Sequence, residues 1–354
     1  IGGRRNIIIN GAMQVAQRGT SFTPTTSQLY TLDRFQIFPQ GSTAGRATIT
    51  QDSSAPNGFA NSLKIDVTTA DTSIAANETY ILGYQIEGQD VQMFKKGTSE
   101  AEQYTVSFYV KGNASATYVL ELFDMDNTRQ ISKTFNVTTD WARVILTYPA
   151  DTTGSFDDDN ASSLALFFFL HAGSTYTSGT INSSAWAATN NANRVGSGTT
   201  SIFDSTDRTF FITGLQMEVG STATPFEHRS FGEELQLCQR YYYERCGSGT
   251  ALGVDPYHWV MNGIAYNTTL GVGGLGFPVN MRATPTLGYS AVAHFQKNSA
   301  GRGDAVTAIN LYDGTENATT ATAYIQFNSS NSTAGGAFMQ TVNASARLNF
   351  DAEL

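Results

Sequence analysis

Strict alternation of apolar and polar residues runs through the middle of this chain, and no other feature restricts its fold as much. In Tyr104–Val110, the residues Tyr104, Val106, Phe108 and Val110 share one face. Tyr118, Leu120 and Leu122 do the same, as do Val144, Leu146 and Tyr148. A period of two places one side of a strand against a core and the other toward water. Leu164–His171 (LALFFFLH) is continuously apolar and reads as a strand buried on both faces, and Thr209–Val219 reads as another strand. Later candidates are Ala305–Tyr312, Ala321–Phe327 and the closing segment Ser345–Leu354. Charged residues make up only 14% of the chain, and 33 glycines join abundant Ser, Thr and Asn. That composition suits many short strands and polar turns rather than long salt-bridged helices. The expected fold class is all-β, with a β-sandwich of jelly-roll type.

One helix interrupts this pattern. Ser230 is a natural N-cap, and Glu233 three residues later completes a capping box. Leu235, Cys238 and Tyr242, with Tyr241 beside them, recur at helical spacing, and Gly247–Gly249 would end the helix. A length of 354 residues fits two domains. The expected organisation is an N-terminal connector over 1–24, a jelly-roll sandwich over 25–228, a linking helix over 229–249 and a smaller C-terminal β-sandwich domain over 250–354. On one helix, Cys238 and Cys246 would be separated by about 12 Å of rise, too far for a disulfide. Both read as structural thiols.

The net charge of −9 opposes nucleic acid as a partner, because phosphate neutralisation needs a basic surface. No apolar run reaches the roughly 18 residues of a membrane span, so no membrane insertion is expected. No secretory signal is recognisable. The opening IGGRRN lacks the features of a natural start, so the chain reads as renumbered or as the C-terminal part of something longer. From residue 247 onward there are four Lys/Arg and six Asp/Glu. So uncharged a surface is expected to face other copies of the chain.

Few residues suggest chemistry. Asp157, Asp158 and Asp159 lack the spaced ligands of an EF-hand and read as a solvated loop. The histidines His171, His228, His258 and His294 form no i,i+4 pair, and no serine sits in a nucleophile elbow. The glycines of GVGGLG, residues 271–276, lack the Lys-Ser/Thr ending of a phosphate loop and suggest close packing of strands or chains. Arg302-Gly303-Asp304 reads as a surface turn. Asn-x-Ser/Thr triplets such as Asn136-Val137-Thr138 reflect composition alone. No catalytic residue, metal ligand or cofactor is expected. Aromatic platforms are the stronger signal, since sugars dock their apolar faces on exposed rings. Tyr176 and Trp186 lie in a long polar loop, and Tyr257, His258 and Trp259 lie in VDPYHWV. These five are the glycan-binding candidates, with core or subunit packing as the competing reading. Trp141 reads as core.

Three segments resemble bacteriophage tail-fibre and related virion appendage proteins. They are residues 4–35 (RRNIIINGAMQVAQRGTSFTPTTSQLYTLDRF), residues 213–244 (TGLQMEVGSTATPFEHRSFGEELQLCQRYYYE), and residues 277–287 (FPVNMRATPTL) with the terminal FDAEL. Together they frame almost the whole chain, and the middle one is the most specific. The resemblance implies a non-catalytic virion protein on the tail or capsid surface, a homotrimer in contact with other virion proteins and adhering to bacterial surface polysaccharide. A capsid-decorating or head fibre is the alternative, and a glycan-cleaving tail spike a third. The opening also resembles carbohydrate-binding jelly rolls through Asn6, Asn10 and Gly11. Met13 and Gln14 stand where that family has Phe-Glu, and Ile212–Gln216 lacks its paired carboxylates, which puts the family's structural calcium in doubt.

Overall fold

The structure is a computed structural model. It describes residues 5–25, 28–71, 73–246, 259–299, 302–312, 319–329, 335–343 and 345–354. The chain divides into two compact units, Ile1–Glu234 with Leu354, and Leu235–Glu353. No helix among the described residues is long and apolar enough to cross a membrane.

The first unit carries the strands β1 (Ser21–Phe22), β2 (Leu29–Tyr30), β3 (Phe35–Gln40), β4 (Ala47–Asp52), β5 (Ser62–Val67), β6 (Thr79–Glu87) and β7 (Tyr104–Gly112). Next come β8 (Ala116–Asp124), β9 (Arg129–Val137), β10 (Ala142–Tyr148) and β11 (Ser162–Ala172). The one-turn helix α1 (Ser174–Thr177), β12 (Ala187–Ala188) and β13 (Thr209–Val219) complete it. One sheet has the order β1-β4-β5-β13-β7-β10 and the other β12-β9-β8-β11-β6-β3-β2. The chain crosses repeatedly between sheets: β6 lies in the second, β7 in the first, β8 and β9 in the second, β10 in the first, β11 in the second and β13 in the first. This is the expected jelly-roll sandwich.

The alternating residues fill the space between the sheets. Val106, Phe108, Val110 and Ile212 come from one sheet and Leu82, Leu120, Leu166 and Phe168 from the other, all fully enclosed. Phe108 and Phe168 meet edge to face with centroids 5.2 Å apart. Residues 5–24, expected as a connector, belong to this unit: Ile8 and Met13 are in its core. Asn10 explains the irregular path, with its backbone left-handed at φ 60°. Its side-chain amide donates to Val15 O and Asp33 O, and its Oδ1 accepts from Val15 N. The partner strand of this segment is over 200 residues away (Ile7 N donates to Met217 O), which is why no local pattern exposed it.

The helix α2 spans Phe231–Gln239, and Glu233 N donates to Ser230 Oγ at 3.3 Å as the capping box requires. It is shorter than expected. Tyr242 and Cys246 lie on a strand, β14 (Tyr242–Cys246), so the two cysteines do not share a helix; Cys238 is buried. Gly247–Gly249 fall outside the described residues.

The second unit continues with β15 (Trp259–Ala265), β16 (Leu270–Gly276), β17 (Thr286–Tyr289), β18 (Phe295–Ser299), β19 (Arg302–Leu311), β20 (Thr322–Ser329), β21 (Gly335–Thr341) and β22 (Leu348–Asp351). The smaller all-β unit takes the form of a closed barrel, β15-β16-β20-β19-β18-β21, beside a sheet β14-β22-β17. The glycines of residues 271–276 explain the closure. A Cβ on Gly271 would lie 2.3 Å from the Phe327 ring, and one on Gly273 would lie 2.6 Å from Asn262 O. A six-stranded barrel has little interior, and bare backbone at these inward positions makes room for the ring of Phe327. Arg302-Gly303-Asp304 is not a turn: it opens β19 and pairs with Ser299, Asn298 and Lys297.

Candidate functional site

The outer face of the second sheet carries a groove. Inward residues of β3, β6, β8 and β11 alternate with outward Phe38, Ile81, Phe123 and Phe167. Register brings these together across adjacent strands: Phe38 faces Ile81, Phe167 faces Gly83, and Phe123 faces Ala165. Gly83 is needed here, because a Cβ would lie 2.4 Å from the Phe38 ring and 3.4 Å from Phe167. Phe38 and Phe167 meet edge to face at 5.7 Å, and Phe123 and Phe167 lie 6.0 Å apart. All three rings are partly exposed. They line a groove of about 470 Å³ whose rim includes Gln40, Thr79, Met125 and Arg194.

Arg194 is the charged wall. Its Nε and Nη2 donate to Glu121 at 2.9 Å and 2.6 Å, and its guanidinium lies over Phe123 and Phe169 at 5.2 Å and 5.1 Å. Burial pushes the Glu121 carboxyl above its ordinary range, against the pull of Arg194. Desolvation opposes the charge on Arg194, but Glu121 more than offsets it and holds the guanidinium firmly protonated. The pair fixes a planar cation at the groove edge. Gln40 Oε1 accepts from Tyr176 Oη and Thr79 Oγ1, both at 3.3 Å.

The long loop 173–200, expected to present glycan contacts, builds this wall instead. Tyr176 is 8% exposed and packs with Ile81, Val119, Phe169 and Val195. Trp186 is 7% exposed; its Nε1 donates to Pro149 O at 2.9 Å, and its ring lies 5.6 Å from Tyr104. Neither ring offers a free face for a sugar. The parts of the loop carrying Tyr176 and Val195 cover an apolar sheet face, which also explains the unbroken apolar run in β11, while Trp186 joins the main core. Trp259 is 63% exposed and opens β15 in the second unit. Tyr257 and His258 lie outside the described residues. Of the five candidates, Tyr176 and Trp186 are thus buried and Trp259 is exposed.

Other expected residues sort similarly. Trp141, expected in the core, is half-buried against Phe211 at 6.2 Å, with the Lys111 ammonium 5.4 Å from its ring. Asp157, Asp158 and Asp159 are exposed, as a solvated loop would be. His228 is exposed beside Phe59 and Phe226. In the second unit, a cleft of about 670 Å³ is lined by Pro285, Leu287, Tyr289, Ile309 and Leu311. It offers one aromatic ring against three in the sandwich groove. Sequence reasoning missed Phe38, Phe123 and Phe167 because each directly follows an inward apolar residue, Ile37, Leu122 and Leu166, so no alternation marks the outward ring. Only the cross-strand register shows that they share a surface.

No protein-family model matches the chain, and no curated protein matches its sequence. Among solved structures, a CBM4 structure matches at 13% identity over 59% of this chain and 97% of that chain, with a TM-score of 0.32. The CBM22-1 xylan-binding domain from Paenibacillus barcinonensis Xyn10C matches at 12% identity over 63% and 100%, with a TM-score of 0.30. The enzymatically active domain of bacteriophage CBA120 tailspike protein 4 matches at 12% identity over 60% of this chain and 21% of that chain, with a TM-score of 0.32. At these scores the matches carry no weight for function, and the fold stands on the strand order above.

Proposed function

We propose that this chain is a non-catalytic virion fibre protein of a bacteriophage that adheres to bacterial surface polysaccharide through the groove on the second sheet. The observation that carries the binding reading is the convergence of Phe38, Phe123 and Phe167, all partly exposed, in one groove. Stacked rings accept the apolar faces of sugars, and the amide of Gln40 and the hydroxyl of Thr79 suit hydroxyl groups. Among the described residues, the groove lining carries no carboxylate, thiol or imidazole. Glycoside hydrolysis uses two carboxyl groups about 5 to 9 Å apart across the bond. The groove therefore supports holding a glycan rather than cleaving it.

The fibre part of the proposal rests on the sequence resemblance. The homotrimer rests on the same resemblance, and self-association is supported by the barrel surface of the second unit. Ile264 faces Val272, which faces Gln326, and on the same side Gly274 faces Tyr324. Ile264 and Tyr324 are exposed large residues on that outward face, with the exposed Tyr266 just beyond the end of β15. Burying them between copies removes apolar surface from water. Three chains per fibre would raise weak single-site binding through multivalency.

The test is binding of the intact chain to an array of bacterial capsular and lipopolysaccharide glycans, beside reducing-sugar release from the same glycans. Retention without release supports the proposal. Release abolished by a single carboxylate substitution in a folded variant overturns the non-catalytic part. Electron microscopy of the particle decides between tail and capsid placement.

A further inference from the structure

At one end of the sandwich Asp71, Glu78 and His171 converge. One carboxylate oxygen from each acid and an imidazole nitrogen all lie within 4.8 Å of one another, and all three residues are buried. We propose that they form a site for a divalent transition-metal ion of the zinc type.

Four observations carry this. First, His171 Nε2 is buried with no hydrogen-bond partner, and it points at the cluster, 3.7 Å from Glu78 Oε2. A buried imidazole nitrogen left without a hydrogen bond is costly, and a metal ion would satisfy it. Second, the other ring nitrogen is held. His171 Nδ1 lies 2.7 Å from Ser201 Oγ, which accepts from Phe203 N at 3.0 Å. With Nδ1–H donating to Ser201, the Nε2 lone pair is the one presented to an ion, the usual outer-shell arrangement of a ligating histidine. Third, both carboxylates are oriented by backbone. Ser73 N donates to Asp71 Oδ1 at 3.0 Å, and Ala75 N donates to Glu78 Oε2 at 2.9 Å. Fourth, a bulge in β11 between Phe169 and His171 re-aims the histidine, so that it aligns with Tyr80 at the start of β6.

Two carboxylate oxygens and one imidazole nitrogen match zinc, whose ligands sit at about 2.0–2.2 Å. Calcium prefers six to eight oxygens, so the imidazole disfavours it. Ser42 Oγ lies within hydrogen-bond reach of both acids, its one hydrogen directed to Glu78 Oε1 or to Asp71 Oδ2. Arg46 Nη2 lies 3.5 Å from Asp71 Oδ2. Arg46 is itself tied to Ser42 O and Ala70 O. With a neutral imidazole, the two acids and Arg46 sum to one negative charge, so the cluster attracts a cation. The bound ion would clamp the segment carrying Asp71 and Glu78 to the end of β11.

The test is a calorimetric titration of chelator-treated intact chain with zinc chloride, repeated on His171→Gln and Asp71→Asn. The expected result is one zinc per chain in the wild type, a raised thermal midpoint, and at least a tenfold weaker binding in both variants. Should a variant fail to fold, X-ray absorption of the zinc-loaded wild type reads the ligands directly, with one imidazole among oxygen scatterers expected. Equal zinc binding by wild type and folded variants, no zinc binding at all, or a zinc shell without imidazole would each overturn the proposal. So would calcium stabilising the chain as well as zinc does.

Discussion

The ammonium group of Lys96 lies 2.6 Å from the carboxylate of Asp124, and neither side chain has any exposure. Asp151 closes the group at 3.2 Å from the same nitrogen, and Lys96 also donates to Thr153 O and Gly154 O. Arg129 bonds Asp151 through Nε and Nη2 and also donates to Trp186 O. The cluster therefore anchors both the segment after β10 and the loop carrying Trp186.

Removing one partner of a buried pair leaves an uncompensated charge and costs about 3–5 kcal/mol. Lys96→Met is expected to lower stability by that order, measured from the urea midpoint. Lys96→Met with Asp124→Leu is expected to recover part of the loss. A loss below about 1 kcal/mol for the single variant would mean that the pair contributes little beyond its volume.

Asp151 also sets an acid limit. Burial raises its carboxyl, but Arg129, Lys96 and the Thr153 amide outweigh this and hold it below its ordinary value of 3.8. A carboxyl depressed in the folded state contributes stability that is fully present above its unfolded value and is lost as pH falls through the folded one. Wild-type stability is therefore expected to drop below about pH 4. Asp151→Asn should be less stable at neutral pH and show a flatter curve in that window. Parallel curves for the two proteins would contradict this.

Alternation made the sandwich legible, since Tyr104–Val110 and Thr209–Val219 lie within strands β7 and β13. Ser230 and Glu233 placed the helix start correctly. What could not be read was set by partners far along the chain. Ile8 and Met13 enter the core through a segment without strand periodicity. Tyr176 looks like a binding platform until the apolar outer face of β11 is seen beneath it, and Trp186 until its ring is found in the main core beside Tyr104. Asp71, Glu78 and His171 meet across a separation of about a hundred residues, which no motif spacing encodes.

Gly83 couples the backbone to the groove. Gly83→Ala places a Cβ against the Phe38 ring and must displace it. The expected outcome is a roughly tenfold weaker glycan affinity, the equivalent of about 1.4 kcal/mol. The circular dichroism spectrum should be unchanged. Unaltered affinity in a folded variant would show that Phe38 does not touch the ligand.

The barrel surface gives a separate prediction. Ile264→Asp with Tyr324→Asp is expected to convert a three-chain species to monomers in sedimentation velocity, because both side chains are exposed and neither fills the barrel. An unchanged sedimentation profile, or a wild type that is already monomeric at micromolar concentration, would contradict the trimer.

The central claim is that the aromatic groove holds a glycan, and the direct measurement is array binding of wild type beside Phe123→Ala. Phe123 is partly exposed and lies between Phe167 and the Arg194 guanidinium. The account predicts retention of at least one bacterial polysaccharide by the wild type and about a tenfold loss in the folded variant. Equal retention by both proteins would place binding elsewhere, with the exposed Trp259 of the second unit as the next surface to test.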